Sequence, residues 1–347
     1  MKRYLLLLIV PLLCFAHEGE KAPSFPRPPE KEITVEAQPW VKNCIAEPYV
    51  EADFLYWKVA EEGLAYAATG FGDPNAPLQY RGKVYDLDFE GALGLRVGLG
   101  LNLAHDGWDL FLRYTWMYSN ASDSVTADPN KDPLRPIWFT GPDFLFSGGL
   151  ESASARWDIH FNVVDLEWGR NFYISRFLTL RPFFGLKGYW MDQTYKVRQV
   201  GPVQGLVATH RIKSEKDNWG LGIRFGMDTC WYFVKNWSVF ADFALTNSWS
   251  RYDHQRKDHL DYHVSGETNT QIHLIHDAYD MIPILELGTG VRWEMWFAED
   301  QMHALIQAGW EEQVWWGDNH FLVAAVNDYG KGNLMTQGLT LRFRFDF

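Results

Sequence analysis

Residues 338–347 read GLTLRFRFDF. Leu339, Leu341, Phe343, Phe345 and Phe347 alternate with Thr340, Arg342, Arg344 and Asp346. Such alternation marks a strand with two unlike faces, and here one face is apolar to the last residue while the other is charged. A chain end frays easily in water, so a large terminal hydrophobe calls for a solvent that accepts it. A bilayer is such a solvent. There every backbone polar group must be paired within the protein, and a closed barrel is the β arrangement that achieves this. The expectation is a last strand that seals against the first with its apolar side toward lipid.

The same register recurs along the chain. In YVEADFLYWK (residues 49–58), Val50, Ala52, Phe54 and Tyr56 share one face, with Glu51 and Asp53 on the other. DFEGALGLRVGLGLNL (88–103) aligns Leu93, Leu95, Val97, Leu99 and Leu101 opposite Glu90, Arg96 and Asn102. WDLFLRYTWMY (108–118), WGLGIRFGMDTCW (219–231), WSVFADFALTNSW (237–249) and LELGTGVRWEMWF (285–297) repeat it. These runs exceed the usual soluble strand of about 5 or 6 residues. Their apolar faces carry Trp or Tyr near the ends, as the aromatic girdles of transmembrane barrels do. Aromatic residues are 16% of the chain.

Connections set the strand count. AHDG (104–107), RNFYIS (170–175), FVKN (233–236) and FAEDQ (297–301) are tight links. They alternate with long polar segments near 59–86, 120–153, 193–217, 251–278 and 317–333. Short turns on one side and long loops on the other are the pattern of a barrel threaded from the periplasm. The sequence predicts an all-β fold, a single transmembrane antiparallel barrel of about ten strands, with twelve as the alternative count. Both termini are expected in the periplasm and the long loops outside. Strands are expected near 48–58, 87–103, 107–120, 154–170, 175–195, 216–232, 236–250, 279–297, 303–316 and 334–347. In the fourth, ARWDIHFNVVDLEW reads as changing phase near Val163 and Val164.

The N-terminus reads as a secretory signal over residues 1–16: Lys2 and Arg3, an apolar core YLLLLIVPLLCFA, and Ala16 at the cleavage point. A lipoprotein signal would acylate Cys14, but Leu13 stands where a small residue is wanted. Residues 17–47 hold Pro23, Pro26, Pro28, Pro29 and Pro39 and read as a periplasmic linker. The barrel is assigned to 48–347. The mature chain keeps Cys44 and Cys230, both expected in the periplasm and free to form a disulfide there. A net charge of −12 argues against nucleic acid as a partner.

The inward faces gather charge. Arg96, Arg113, Arg181, Arg224, Arg292, Arg342 and Arg344, with Glu90, Asp109, Asp228 and Glu286, are expected to line the lumen. They would form either a filtering constriction or a salt-bridged plug. About eight strands give a filled barrel and 16 to 18 an aqueous channel, so ten leave both readings open. His254, His259, His263, His273 and His276 lie among Asp253, Asp258, Asp261 and Asp277. Their spacing fits no ligand motif such as H-E-x-x-H, and a solvated surface loop is expected. No phosphate-binding loop or G-x-S-x-G elbow is present, so no catalytic, metal or cofactor residues are assigned and no cofactor is expected.

EADFLYWKVAEEGLAYA (51–67), together with FNVVDLEWGRNFYIS (161–175) and LTLRPFFGLKGYW (178–190), resembles the pore-forming major outer-membrane protein family of Legionella and Chlamydia-related bacteria. The resemblance implies an outer-membrane location and a porin-like or surface-antigen role. It carries no functional residue across. Phe347 on the lipid side resembles the signal that bacterial outer-membrane barrels present to their assembly machinery. Three functions are weighed: passive diffusion of small hydrophilic solutes, a structural or adhesive role of the outer loops, and a surface hydrolase using the His/Asp segment. The partners expected are outer-membrane lipid, the assembly machinery and the solutes.

Overall fold

A computed structural model describes residues 46–69, 82–104, 106–128, 133–138, 149–175, 177–203, 205–263, 268–298, 302–321 and 332–347. The proposed signal and most of the linker, including Cys44, lie outside them. Ten long strands run antiparallel: β1 (Ala46–Glu61), β2 (Gly91–Leu103), β3 (Trp108–Thr126), β4 (Ser152–Arg170), β5 (Leu178–Val203), β6 (Leu206–Val234), β7 (Trp237–Tyr262), β8 (Thr268–Phe297), β9 (Met302–Trp315) and β10 (Leu334–Asp346). Each pairs with its neighbours in sequence. β1 also pairs with β10, Tyr49 opposite Asp346 through Glu61 opposite Leu334, and this closes the ring. Closure leaves no unpaired edge. The expected ten-strand barrel is observed, and GLTLRFRFDF is its sealing strand.

The tight links all lie at the end where the described chain begins, at Ala46, and finishes, at Phe347, here the near end. Between β6 and β7 the chain reverses in two residues, with Asn236 in the left-handed region at φ 68°. Asn tolerates that conformation better than most residues.

One parity rule holds around the ring. In β1, Val50, Phe54 and Tyr56 face outward while Glu51, Asp53, Leu55 and Trp57 face inward. Leu95 and Leu99 of β2, Leu221 and Ile223 of β6, and Leu339 and Phe343 of β10 continue the apolar outer band. Tyr56, Trp116, Trp190, Trp219, Trp249, Tyr279 and Trp310 border it toward the far end; Trp231, Trp237 and Phe347 border it at the near end. Glycines on the inner face of β2 make room for rings. A Cβ on Gly100 would collide with the Tyr49 ring, and one on Gly98 with Phe111.

Two expectations need correction. Segments 193–217 and 251–278 are largely strand: β5 runs to Val203, β6 starts at Leu206, β7 runs to Tyr262 and β8 starts at Thr268. Past the far girdle the outer face turns polar, with Asp192, Lys196 and Arg198 on β5 and Asp217, Lys213 and Arg211 on β6. Losing the apolar outer face made these residues look like loop. The second correction concerns β4, whose register is unbroken from Ser152 to Arg170. Inward positions change from Trp157, Ile159, Phe161 and Val163 to Asp165 and Glu167. Outward positions change from Asp158, His160 and Asn162 to Val164, Leu166 and Trp168. Polarity inverts along the wall while the strand keeps its phase.

Candidate functional site: the barrel interior

The interior has two layers. The near layer is ionic. Arg96 of β2 reaches Asp53 of β1 at 3.1 Å and Glu311 of β9 at 2.9 Å. Arg342 of β10 holds Asp53 at 3.0 Å and Glu51 at 3.1 Å. Arg113 meets Asp165 at 3.4 Å and Glu167 at 3.5 Å. Lys187 joins Asp165 at 2.7 Å to Glu286 at 3.0 Å, and Arg224 joins Glu286 to Glu167. Arg181 binds Asp109 at 2.6 Å, Asp228 at 2.7 Å and Glu167 at 3.1 Å. Arg344 pairs with Asp346 at 2.6 Å and lies over the Tyr49 ring. Arg292 donates to Gln307 Oε1 at 2.8 Å.

Ion pairs removed from water survive only when their hydrogen-bonding groups are mutually satisfied. Here most guanidiniums touch two or more acceptors. The groups enclose a cavity of about 150 Å³ on the near side, bordered by Arg113, Arg181, Arg224, Arg292 and Arg342.

The far layer is apolar and aromatic. Trp57, Trp157, Phe161, Tyr189, Tyr252 and Trp315 point inward and are almost wholly buried. Trp315 of β9 meets Phe161 of β4 with ring centroids 5.6 Å apart, and Tyr189 of β5 at 4.8 Å. β4 and β9 lie on opposite walls of the ring, so these contacts cross the lumen. Chain between the strands adds to the filling. Leu64, Tyr66, Leu87, Trp138, Leu150 and Phe321 fold into the core, and a small sheet joins Ala67–Ala68 to Val84–Tyr85 and Arg135–Pro136. The Tyr66 phenol, pushed well up by burial and then by its 2.9 Å bond to Asp123, stays a donor.

A buried polar hub fastens one of these segments. Asp318, just after β9, accepts hydrogen bonds from Lys216 at 2.8 Å, Tyr252 at 3.0 Å and Asn218 at 3.2 Å. Lys216 Nζ also reaches Glu61 across the barrel at 3.4 Å. The side chains of Lys216, Glu61 and Asp318 are fully buried.

Of the residues expected in the lumen, Arg96, Arg113, Arg181, Arg224, Arg292, Arg342, Arg344, Asp109, Asp228 and Glu286 stand in this interior. Glu90 does not. Just before β2, Phe89 takes the inward place, bridged to Ala121 one residue out of the β2 register and in ring contact with Trp157, so Glu90 is turned out to solvent. Sequence reasoning missed Asp165, Glu167, Glu61, Lys216 and Asp318. The first two followed the supposed phase change; the others lie in or beside stretches taken as loop.

Cys230 is a free, buried thiol beside Tyr232 and Phe240; its proposed partner Cys44 lies outside the described residues. The expected histidine loop is instead mostly strand. His254 faces inward beside Tyr252 and His320, whereas exposed His273 bonds Gln255 at 3.0 Å. Among the described residues no group of three or more His, Cys, Asp or Glu is placed to hold a metal. The terminal ring of Phe347 is half-exposed on the outer surface, and its amide donates to Pro48 O at 3.3 Å.

A closed ring of ten strands, apolar outside between aromatic girdles and charged within, defines a transmembrane β-barrel. The chain belongs to the family of the Legionella pneumophila major outer membrane protein precursor, which it matches over residues 45–347, and it is a protein of the bacterial outer membrane. No curated protein matches it. Among solved structures it is similar to the outer membrane protease OmpT from Escherichia coli, at 9% identity and TM-score 0.38, over 87% of this chain and 97% of that one. It is also similar to a major outer membrane protein from Thermus thermophilus, at 13% identity and TM-score 0.28, over 87% and 99%. A Pseudomonas aeruginosa FadL homologue matches at 10% identity and TM-score 0.25, over 90% and 91%.

Proposed function

We propose that this barrel is a structural outer-membrane protein with a closed resting lumen, acting through its far end. The carrying observation is the contact of Phe161 with Trp315 across the lumen, within a layer of buried rings. The ion-pair network beneath it supports the same reading, as does the strand number, nearer the filled class than the channel class. The short near-end links, and the long far-end connections that follow β1, β3 and β9, support a periplasmic near end. No reaction is assigned to the chain. The test is swelling of liposomes loaded with the refolded protein and placed in small sugars. A closed barrel gives the rate of protein-free liposomes, and clearly faster swelling contradicts it.

The charged cavity of about 150 Å³ favours a second reading, passive passage of small hydrophilic solutes. In that reading the far layer must part, and the Asp318 hub is the contact to be released. Swelling that appears only when Asp318 is replaced would support a gated passage.

A further inference from the structure

Beyond the far girdle the outer wall carries a charge pattern that neither the lumen nor the apolar band uses. Arg156 of β4 stands opposite Lys196 of β5, Lys196 opposite Lys213 of β6, and Lys213 opposite Lys257 of β7. Farther out, Arg198 stands opposite Arg211. Five of these six cations border an outer groove of about 660 Å³. Like charges directly opposite one another destabilise a sheet, and the chain as a whole is acidic at −12. Some are partly offset: Arg156 by Asp158 at 2.9 Å, Arg211 by Asp261 at 2.7 Å, Lys213 by Glu215 at 2.5 Å. Lys196, Arg198 and Lys257 have no carboxylate at ion-pair distance among the described residues.

Height decides what these cations can meet. Lys196 follows Trp190 of the girdle along β5. At about 3.3 Å per residue and a tilt of about 40°, it stands roughly 15 Å above the ring of Trp190. Headgroups extend only about 5–7 Å beyond the hydrocarbon in each leaflet. Simple phospholipid phosphates therefore lie lower, beside a row in which Asp192 faces Asp217, Asp217 faces Asp253 and Asp253 faces Asp277. That row repels them. An anion that fits the upper rows must be carried upward from the membrane.

We propose that the Arg156–Lys257 row and the Arg198–Arg211 pair form a docking surface for the phosphorylated sugar headgroup of a glycolipid in the surrounding leaflet. Guanidinium groups match phosphate oxygens in a forked geometry, and the surface is continuous with the lipid-facing band, so one molecule can place its acyl chains on the band and its phosphates in the groove. The inference rests on the outer-membrane location and on the far end facing outward. It does not depend on whether the lumen conducts.

The test uses the refolded full chain in detergent micelles, with bound lipid read by native mass spectrometry. The probes are a phosphorylated rough lipopolysaccharide, the same lipid stripped of phosphate, and phosphatidylglycerol. The wild type should retain the phosphorylated glycolipid at least tenfold better than either other lipid. It should also retain it tenfold better than the variant K196S/R198S/R211S/K213S, whose folding is checked by heat-dependent gel mobility. If that variant does not fold, K196S/R198S removes two of the unpaired cations and should still lower retention severalfold. Equal retention by wild type and folded variant overturns the proposal, as does equal retention of phosphatidylglycerol. Displacement of the glycolipid by soluble heparin would assign the surface to a free polyanion and overturn the lipid assignment.

Discussion

Phe161 and Trp315 project from opposite walls of the barrel and meet edge to face, with centroids 5.6 Å apart. Neither is more than 1% exposed. A contact between opposite walls leaves no water-filled path between those two side chains, and with the Lys216–Glu61 pair at 3.4 Å it ties the two sides of the barrel together through the interior. Replacing Trp315 by Ala should cost about 3–5 kcal/mol, read as a lower midpoint of urea-induced unfolding in lipid vesicles.

The Asp318 hub should be costly to break. Asp318→Ala leaves fully buried Lys216 with the residue 318 carbonyl at 2.9 Å and one carboxylate, Glu61, at 3.4 Å, and removing one member of a buried pair costs about 3–5 kcal/mol. The segment after β9 should then become open to protease while the heat-dependent mobility of the barrel persists. Wild-type protease resistance in the variant would mean that Asp318 does not fasten this segment.

Arg224 should behave as a plug residue. It contacts Glu286 and Glu167; Arg224→Gln leaves Glu286 with Lys187 and Glu167 with Arg113 and Arg181, one cation short in a buried cluster, and should lower stability by a few kcal/mol. A pore-lining role predicts another outcome, a shift of ion selectivity with an unchanged unfolding midpoint.

The apolar band is tested by charge. Leu95 is 50% exposed on the outer wall, and Arg at such a site costs about 2–4 kcal/mol near the bilayer midplane. Leu95→Arg should reduce folded protein in the membrane. Glu90→Gln, outside the strand and exposed, should not.

Cys230 should resist alkylation in the folded barrel, where it is buried as a free thiol, and react once the protein is denatured without reductant. Reaction only after reduction would reveal a disulfide, with Cys44 as the candidate partner.

Legibility in the sequence followed the outer wall. Where lipid faces the strand, as at Leu93 to Leu101, alternation gave parity and sealing order together. Beyond Trp190 and Trp219 water replaces lipid outside, and loops and rings replace water inside. The period stays two, but its apolar half moves to the interior. Val163 and Val164 mark that exchange on β4, since Val163 faces the core and Val164 the outer surface. The Lys216–Asp318 hub was hidden for the same reason. His254 reads in the sequence as part of a solvated loop, because sequence proximity cannot tell an inward position from an outward one.

Single-channel recording of the refolded protein in a planar bilayer tests the closed lumen most directly, beside the double variant Phe161→Ala/Trp315→Ala. The wild type should add no steady conducting level to the bare bilayer, whereas the variant, if it folds, should conduct. Stable wild-type conductance steps as large as those of the variant would contradict a lumen closed by these rings.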